Sequence, residues 1–273
     1  MAIPDFLEQA TPTSCDTILT DGEFAVTQLR TATDSTWLLL DEPQRQILEF
    51  TGDLRQVWSL PYRSEGPGSL VNPSGVAPLG DSAFAVVDRG SLRLMVLDRA
   101  GEELYSTPLG FLPNTVATTP DGQVLVTPLP IENRPGTLLV RFDGGEQTEL
   151  PVPPRYYESF MVRALGNTAL VETLADGSAV VMHQYMAPRG FLVDPDGEAR
   201  QLTVPMPDGT VRQASFVPTI PLTDDQQSRI MLPAASMSVD RRRSELFVLT
   251  RSGGRVNDRA ERAILRLGRD LSF

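Results

Sequence analysis

Any chemistry in this sequence has to pass through very few side chains. His183, in the run Met182-His183-Gln184-Tyr185-Met186, is the single histidine. It could act as a general base, and any Ser-His-Asp arrangement would have to use it. Alone it cannot build a multi-histidine zinc site. It ends an apolar run, at the place where comparable runs carry Asp41, Asp88, Thr127 and Thr250. These positions are expected to converge on one rim or channel. Asp41 and Asp88 form a candidate carboxylate pair, because glycoside hydrolysis needs two acids facing each other across a pocket. The plainer alternatives are a satisfied buried histidine and strand-end aspartates that accept backbone hydrogen bonds.

Composition removes other chemistries. All 24 basic residues are arginine, so a Schiff-base lysine and a phosphate-loop lysine are both excluded. Cys15 is the only cysteine, so no internal disulfide can form and no Cys-rich metal site exists. The net charge of −11 opposes nucleic-acid binding, which needs a basic surface. Charge is uneven, however. Nine arginines fall between Arg241 and Phe273, among them Arg241, Arg242, Arg243, Arg251 and Arg255. These five are candidates for a partner-binding patch suited to an acidic protein or an anionic membrane surface. A solvated outer face is the simpler reading of the same residues.

These side chains must be positioned by a repeat. Five segments share a short strand, a polar turn, a compact apolar run, an alternating strand, a second Gly turn and a last strand. The clearest copy has Gly75-Val76-Ala77, the turn Gly80-Asp81, the run Phe84 to Asp88, then Leu92 to Leu97, the turn Ala100-Gly101, and Glu103 to Tyr105. The turn aspartates Asp34, Asp81, Asp121, Asp176 and Asp240 fall at intervals that suit four-stranded units of about 40–50 residues. Continuous apolar runs mean strands buried on both faces, as when sheets stack face to face around a ring. The sequence therefore predicts an all-β fold, a single β-propeller domain over residues 1–273, with five blades countable. The fifth copy stops after its third strand, leaving an open edge. The N-terminal segment within Ile3 to Leu19 is expected to supply the missing strand and close the ring.

Two copies carry a resemblance. The segment Gly75 to Asp88, continued through Asp98 to Glu102, resembles a blade of the NHL-repeat propellers. Leu112-Pro113-Asn114, followed by Pro120-Asp121-Gly122, is similar to a segment of the gluconolactonase-like propellers. Both families are typically six-bladed, which implies six blades here, with a degenerate sixth drawn from residues 154–167 and 206–233 and the N-terminus. In the lactonase-like family an asparagine at the position of Asn114 helps hold a divalent metal, such as calcium, in the central channel. That resemblance implies a metal site at Asn114, with Glu158 and Asn167 as loosely placed companions. Thr115 stands where the family pattern has glycine, and no matching set of further ligands is evident.

The expectation that follows is a non-enzymatic scaffold. It would be an accessory subunit without a cofactor, docking onto other protein subunits in an assembly, including one at a membrane. A metal-assisted hydrolase of the lactonase kind is the alternative. The segments Pro61 to Pro73 and Met206 to Leu232 are long enough to be binding loops, and Pro128 to Pro135, with three prolines, reads as a rigid protrusion. No apolar run is long enough to span a bilayer. The N-terminus has no basic segment and no apolar core, so a cytoplasmic location is expected, or a periplasmic one if a signal has been removed.

Overall fold

The structure is a computed structural model that describes residues 26–31, 36–41, 44–51, 55–62, 66, 69–129, 136–154, 164, 166–184, 189–203, 232–240, 245–251 and 262–267. These residues form five antiparallel sheets whose strands follow chain order. The first sheet comprises β1 (Val26–Thr31), β2 (Thr36–Asp41), β3 (Gln46–Thr51) and β4 (Gln56–Pro61). The second holds β5 (Pro73–Leu79), β6 (Ala83–Asp88), β7 (Arg93–Asp98) and β8 (Glu103–Pro108). In the third are β9 (Pro113–Thr118), β10 (Val124–Pro128), β11 (Leu139–Asp143) and β12 (Glu146–Leu150). The fourth contains β13 (Ala169–Thr173), β14 (Ala179–His183), β15 (Arg189–Val193) and β16 (Ala199–Thr203). The fifth has three described strands, β17 (Leu232–Asp240), β18 (Glu245–Arg251) and β19 (Arg262–Leu267). The expected closing strand from Ile3 to Leu19 lies outside the described residues.

The apolar runs have a simple cause. Side chains alternate across a strand, and each middle sheet is covered on both faces. In β6, Phe84 and Val86 pack towards Leu38, Leu40 and Ile47 of the first sheet. Ala83, Ala85 and Val87 pack the other way, towards Val116, Val124 and Val126 of the third. The third sheet repeats the scheme, sending Leu125 and Leu139 towards Val171, Val181 and Phe191 of the fourth. A strand that serves two neighbours must be apolar at every position, so AFAVV reads as continuous.

The first strand of each sheet is the inner one. β5 lies against β9, β9 against β13, and β13 against β17, while β1 touches both β5 and β17. Outer strands are exposed, and in two of them the register breaks. β4 skips Val57 between Gln56 and Trp58, and β8 skips Leu104 between Glu103 and Tyr105. Both skipped residues are large exposed hydrophobics. The outer strand β12 pairs without a break but carries exposed Glu146 and Glu149.

Sheets are also joined by their turns. Gly101, at φ 80°, sits where an added Cβ would meet Leu60 Cδ1 of the first sheet at 2.5 Å. Gly197 stands in the same relation to Leu150 of the third sheet. Nearby, Trp58 donates to Arg99 O (2.7 Å), Arg99 lies over the Trp58 ring and pairs with Glu49, and Trp58 meets Phe84 edge-on. Gly101→Ala should therefore lose about 2–4 kcal/mol, from left-handed strain plus overpacking on Leu60. Gly80→Ala is the control: its φ is 62° but nothing lies within 4 Å of its Cβ position. It should lose only about 1 kcal/mol. Urea midpoints of the two variants test the difference.

Up-and-down order gives the molecule two unlike ends. Turns between first and second strands, and between third and fourth, are short and lie at one end. The connections 62–72, 129–138, 151–168, 204–231 and 252–261 all join strand ends at the other. We call these the turn end and the loop end.

Candidate functional site at the loop end

The inner strands bring together charges that the chain keeps far apart. Arg30, on β1, is buried and pairs with the buried carboxylate of Glu172 on β13. The same guanidinium donates to Val116 O (3.2 Å) on β9 and Val171 O (3.1 Å) on β13. One side chain of the first sheet thus ties down the third and fourth. Threonines add further stitches. Thr118 donates to Pro78 O, and Thr173 donates to Thr118 O at 2.6 Å. These bonds link inner strands of adjacent sheets, which share no backbone ladder.

Asn114 lies nearer the loop end and is similarly committed. Its Nδ2 donates to Ala169 O (2.7 Å), and its Oδ1 accepts from Arg89 Nη2 (2.8 Å). Arg89 Nε also donates to Pro113 O (2.9 Å). A metal-ligating asparagine would offer that same Oδ1, and here a guanidinium holds it. A second cation at this oxygen would be repelled. Asn167 is buried, while Glu158, the other candidate ligand, lies outside the described residues. Among the described residues no group of three or more His, Cys, Asp or Glu side chains is placed to hold a metal.

The rim positions need one correction. Register places Asp88 opposite Pro73, Asp41 opposite Val26, and His183 opposite Ala169. A bulge in the third sheet puts Pro128, not Thr127, opposite Pro113, and in the fifth sheet Arg251, not Thr250, faces Leu232. The true set is therefore Asp41, Asp88, Pro128, His183 and Arg251. Thr127 instead donates to Ala169 O (2.9 Å).

Asp88 is wholly buried and accepts three backbone N–H groups: Val71 (2.7 Å), Asn72 (2.8 Å) and Gly90 (2.8 Å). Asp41 is equally buried and accepts Gln44 N at 3.3 Å. Its Oδ2 has no hydrogen-bond partner among the described residues. The register equivalents of Val71 and Asn72 are Phe24 and Ala25, which lie outside the described residues. His183, 1% exposed, holds Gly166 O through Nδ1 at 2.8 Å and packs on Phe191. The aspartates are loop anchors, not acids facing across a pocket.

The candidate arginines are spread along the fifth copy. Arg241, Arg242 and Arg243 fall between β17 and β18 in the sequence, whereas Arg251 ends β18. The seven residues of β18 span roughly 20 Å. Arg255 follows in the connection to β19, and it and Arg241–Arg243 lie outside the described residues. The turn end of the second to fourth sheets is acidic, with Asp81, Asp121, Asp176, Asp194, Asp196 and Glu198 in its turns.

A cavity of about 340 Å³ opens at the loop end of the second sheet, which sequence reasoning did not find. It is lined by Gly66 and Ser69 from the first long connection, Ser91 and Arg93 from the β6–β7 hairpin, Met95, and Glu103. Arg93 donates to the Ser106 hydroxyl, which also bonds Glu103. Tyr105, on the adjacent outer strand, has its phenol pushed up by burial first and the Asp143 carboxylate second. It stays neutral and packs on the core between the second and third sheets.

Comparison with solved structures settles the architecture. A member of the DUF4221 family from Bacteroides vulgatus matches with TM-score 0.65, covering 91% of this chain and 80% of that one at 13% identity. The Cps50 (Swd1) β-propeller domain of Myceliophteria thermophila matches with TM-score 0.51 over 90% and 72%, at 11% identity. The fold is a β-propeller. A catalytically inactive virginiamycin B lyase from Staphylococcus aureus, with quinupristin, shares it at TM-score 0.52 over 90% and 71%, at 13% identity. No family model matches the chain, and no curated protein does. At such identities the likeness carries the propeller fold alone. It does not select the NHL or gluconolactonase kind, and propellers serve enzymes and binding modules alike.

Proposed function

We propose that this propeller is a non-enzymatic interaction module, an accessory subunit that docks onto a larger protein assembly through its loop end. The observation that carries this reading is the commitment of the central polar groups to structure. Arg30 and Glu172 pair between the inner strands of the first and fourth sheets, Asn114 is held by Arg89 and Ala169, and Asp88 is filled by three backbone N–H groups. Polar groups spent on holding sheets together are not free to bind and turn over a substrate. The long connections, by contrast, share one end, where such loops usually serve recognition. The circuit of inner strands supports five blades, because a sixth would have to part β17 from β13 or from β1.

Purification of the full chain from its source in mild detergent should yield a stoichiometric protein complex, countable by native mass spectrometry. Charge reversal at the loop end, Arg251→Glu with Arg255→Glu, should weaken that complex by roughly tenfold, the scale of a lost interface anchor. Serine at Arg241, Arg242 and Arg243 should change it little. A protein recovered alone under all conditions would overturn the reading.

A further inference from the structure

We propose that the outer strand of the fourth sheet, β16, is a docking edge for a second copy of this chain, which pairs with it antiparallel about a two-fold axis. The contact lies on a flank of the molecule, so it is separate from the loop-end docking and does not rest on it. The first observation is geometric. All five pairs between β15 and β16, from Arg189↔Thr203 to Val193↔Ala199, follow without a shift. β4 and β8, by contrast, each break register against their neighbours. In the turn before β16, Asp194 N donates to Glu198 O at 3.0 Å, so the backbone of Glu198 faces β15. Backbone groups alternate from side to side along an antiparallel strand, which turns those of Ala199, Gln201 and Thr203 outward. Among the described residues no strand lies on that side.

The second observation is charge. Glu198 and Arg200 stand two residues apart, so their side chains leave the chain on the same face, and both are exposed. Neither the Glu198 carboxylate nor the Arg200 guanidinium has a partner among the described residues. Ala199, between them, packs the other way, against the core shared by the third and fourth sheets. β12 also keeps its register, but its charges, Glu146 and Glu149, have one sign only.

Opposite charges two residues apart are self-complementary in an antiparallel pair. With Ala199 on the axis, Glu198 of each copy faces Arg200 of the other, once on either side. A two-fold contact between identical chains requires such self-matching. Because Ala199 faces outward, it forms the hydrogen-bonded pair on the axis. The Glu198–Arg200 pairs then occupy the non-hydrogen-bonded positions, where side chains approach most closely. An axis at Arg200 would set the two guanidiniums against each other, and like charges directly opposite are destabilising. An axis at Gln201 would set each guanidinium against Leu202, so charge selects the register. Two short strands make a small contact, of the size found in weak, reversible associations.

Sedimentation velocity of the full chain, over a concentration series reaching the submillimolar range, should show a reversible monomer–dimer equilibrium. Arg200→Glu and Glu198→Arg should each raise the dissociation constant by more than roughly tenfold, since each puts like charges in both facing pairs. Mixed in equal amounts, these two variants should pair with each other, because one then offers only acids and the other only guanidiniums. Gln201→Pro should abolish the dimer while leaving the melting temperature nearly unchanged, because proline is tolerated where an edge N–H faces solvent. The charge variants do not depend on that tolerance. A monomer at every concentration would overturn the proposal, as would a dimer indifferent to both charge reversals. Failure of the mixed variants to associate, or a dimer that persists in a folded Gln201→Pro, would mean that copies do not meet through β16.

Discussion

Arg30→Leu will cost the protein roughly 3–5 kcal/mol, the penalty for stranding a buried charge without its partner. The substitution leaves Glu172 ionisable in a site only 8% exposed, and it strips Val116 O and Val171 O of a donor. It also cuts the first sheet from the third and fourth at the centre, so the loss should appear in global unfolding, not as local fraying. Equilibrium urea unfolding followed by tryptophan fluorescence measures it, with Trp58 reporting from the contact between the first two sheets. The double variant Arg30→Leu, Glu172→Leu should recover most of the loss, because an apolar replacement of a buried pair is often near neutral. If the double variant is as unstable as the single one, the carbonyl contacts and not the ion pair hold the centre.

Asp88→Ala should cost about 3–5 kcal/mol by a different route. Three backbone N–H groups lose their acceptor, and each unsatisfied donor costs about 1–3 kcal/mol less whatever water recovers. Asp88→Asn should be milder, at roughly 2 kcal/mol, because one oxygen remains while an amide now faces a backbone N–H. Both changes should loosen the connection at Val71 and Asn72 specifically. Hydrogen exchange should therefore rise at these two amides in Asp88→Asn under conditions where the rest of the second sheet stays protected. Uniform exchange across the sheet would mean that Asp88 supports the sheet as a whole and not its connection.

The sequence made the strands legible because they are loaded on both sides. Phe84 to Val87 has no polar position, and only a sheet between two sheets requires that. The rim was misaligned by one residue in the third sheet because Pro128, of a type that ordinarily marks a strand's end, stands where the first two sheets carry an aspartate. The central pair went unseen although its signal was present. Arg30 and Glu172 are lone charges inside strands that otherwise read as inner. A charge in such a strand must find its opposite, and the first and fourth copies each supply one.

The broken registers of the outer strands bear on how assemblies can form. A partner that added its own strand to β4 or β8 would need a straight row of free N–H and C=O groups, and the bulges at Val57 and Leu104 interrupt that row. On β12 the pairing is regular, but Glu146 and Glu149 would oppose an acidic newcomer. Edge-to-edge polymerisation and β-augmentation are thereby discouraged on the flanks of these three blades. The flanks of these three blades are thus poor templates for a further strand, whether it comes from a second copy or from another protein.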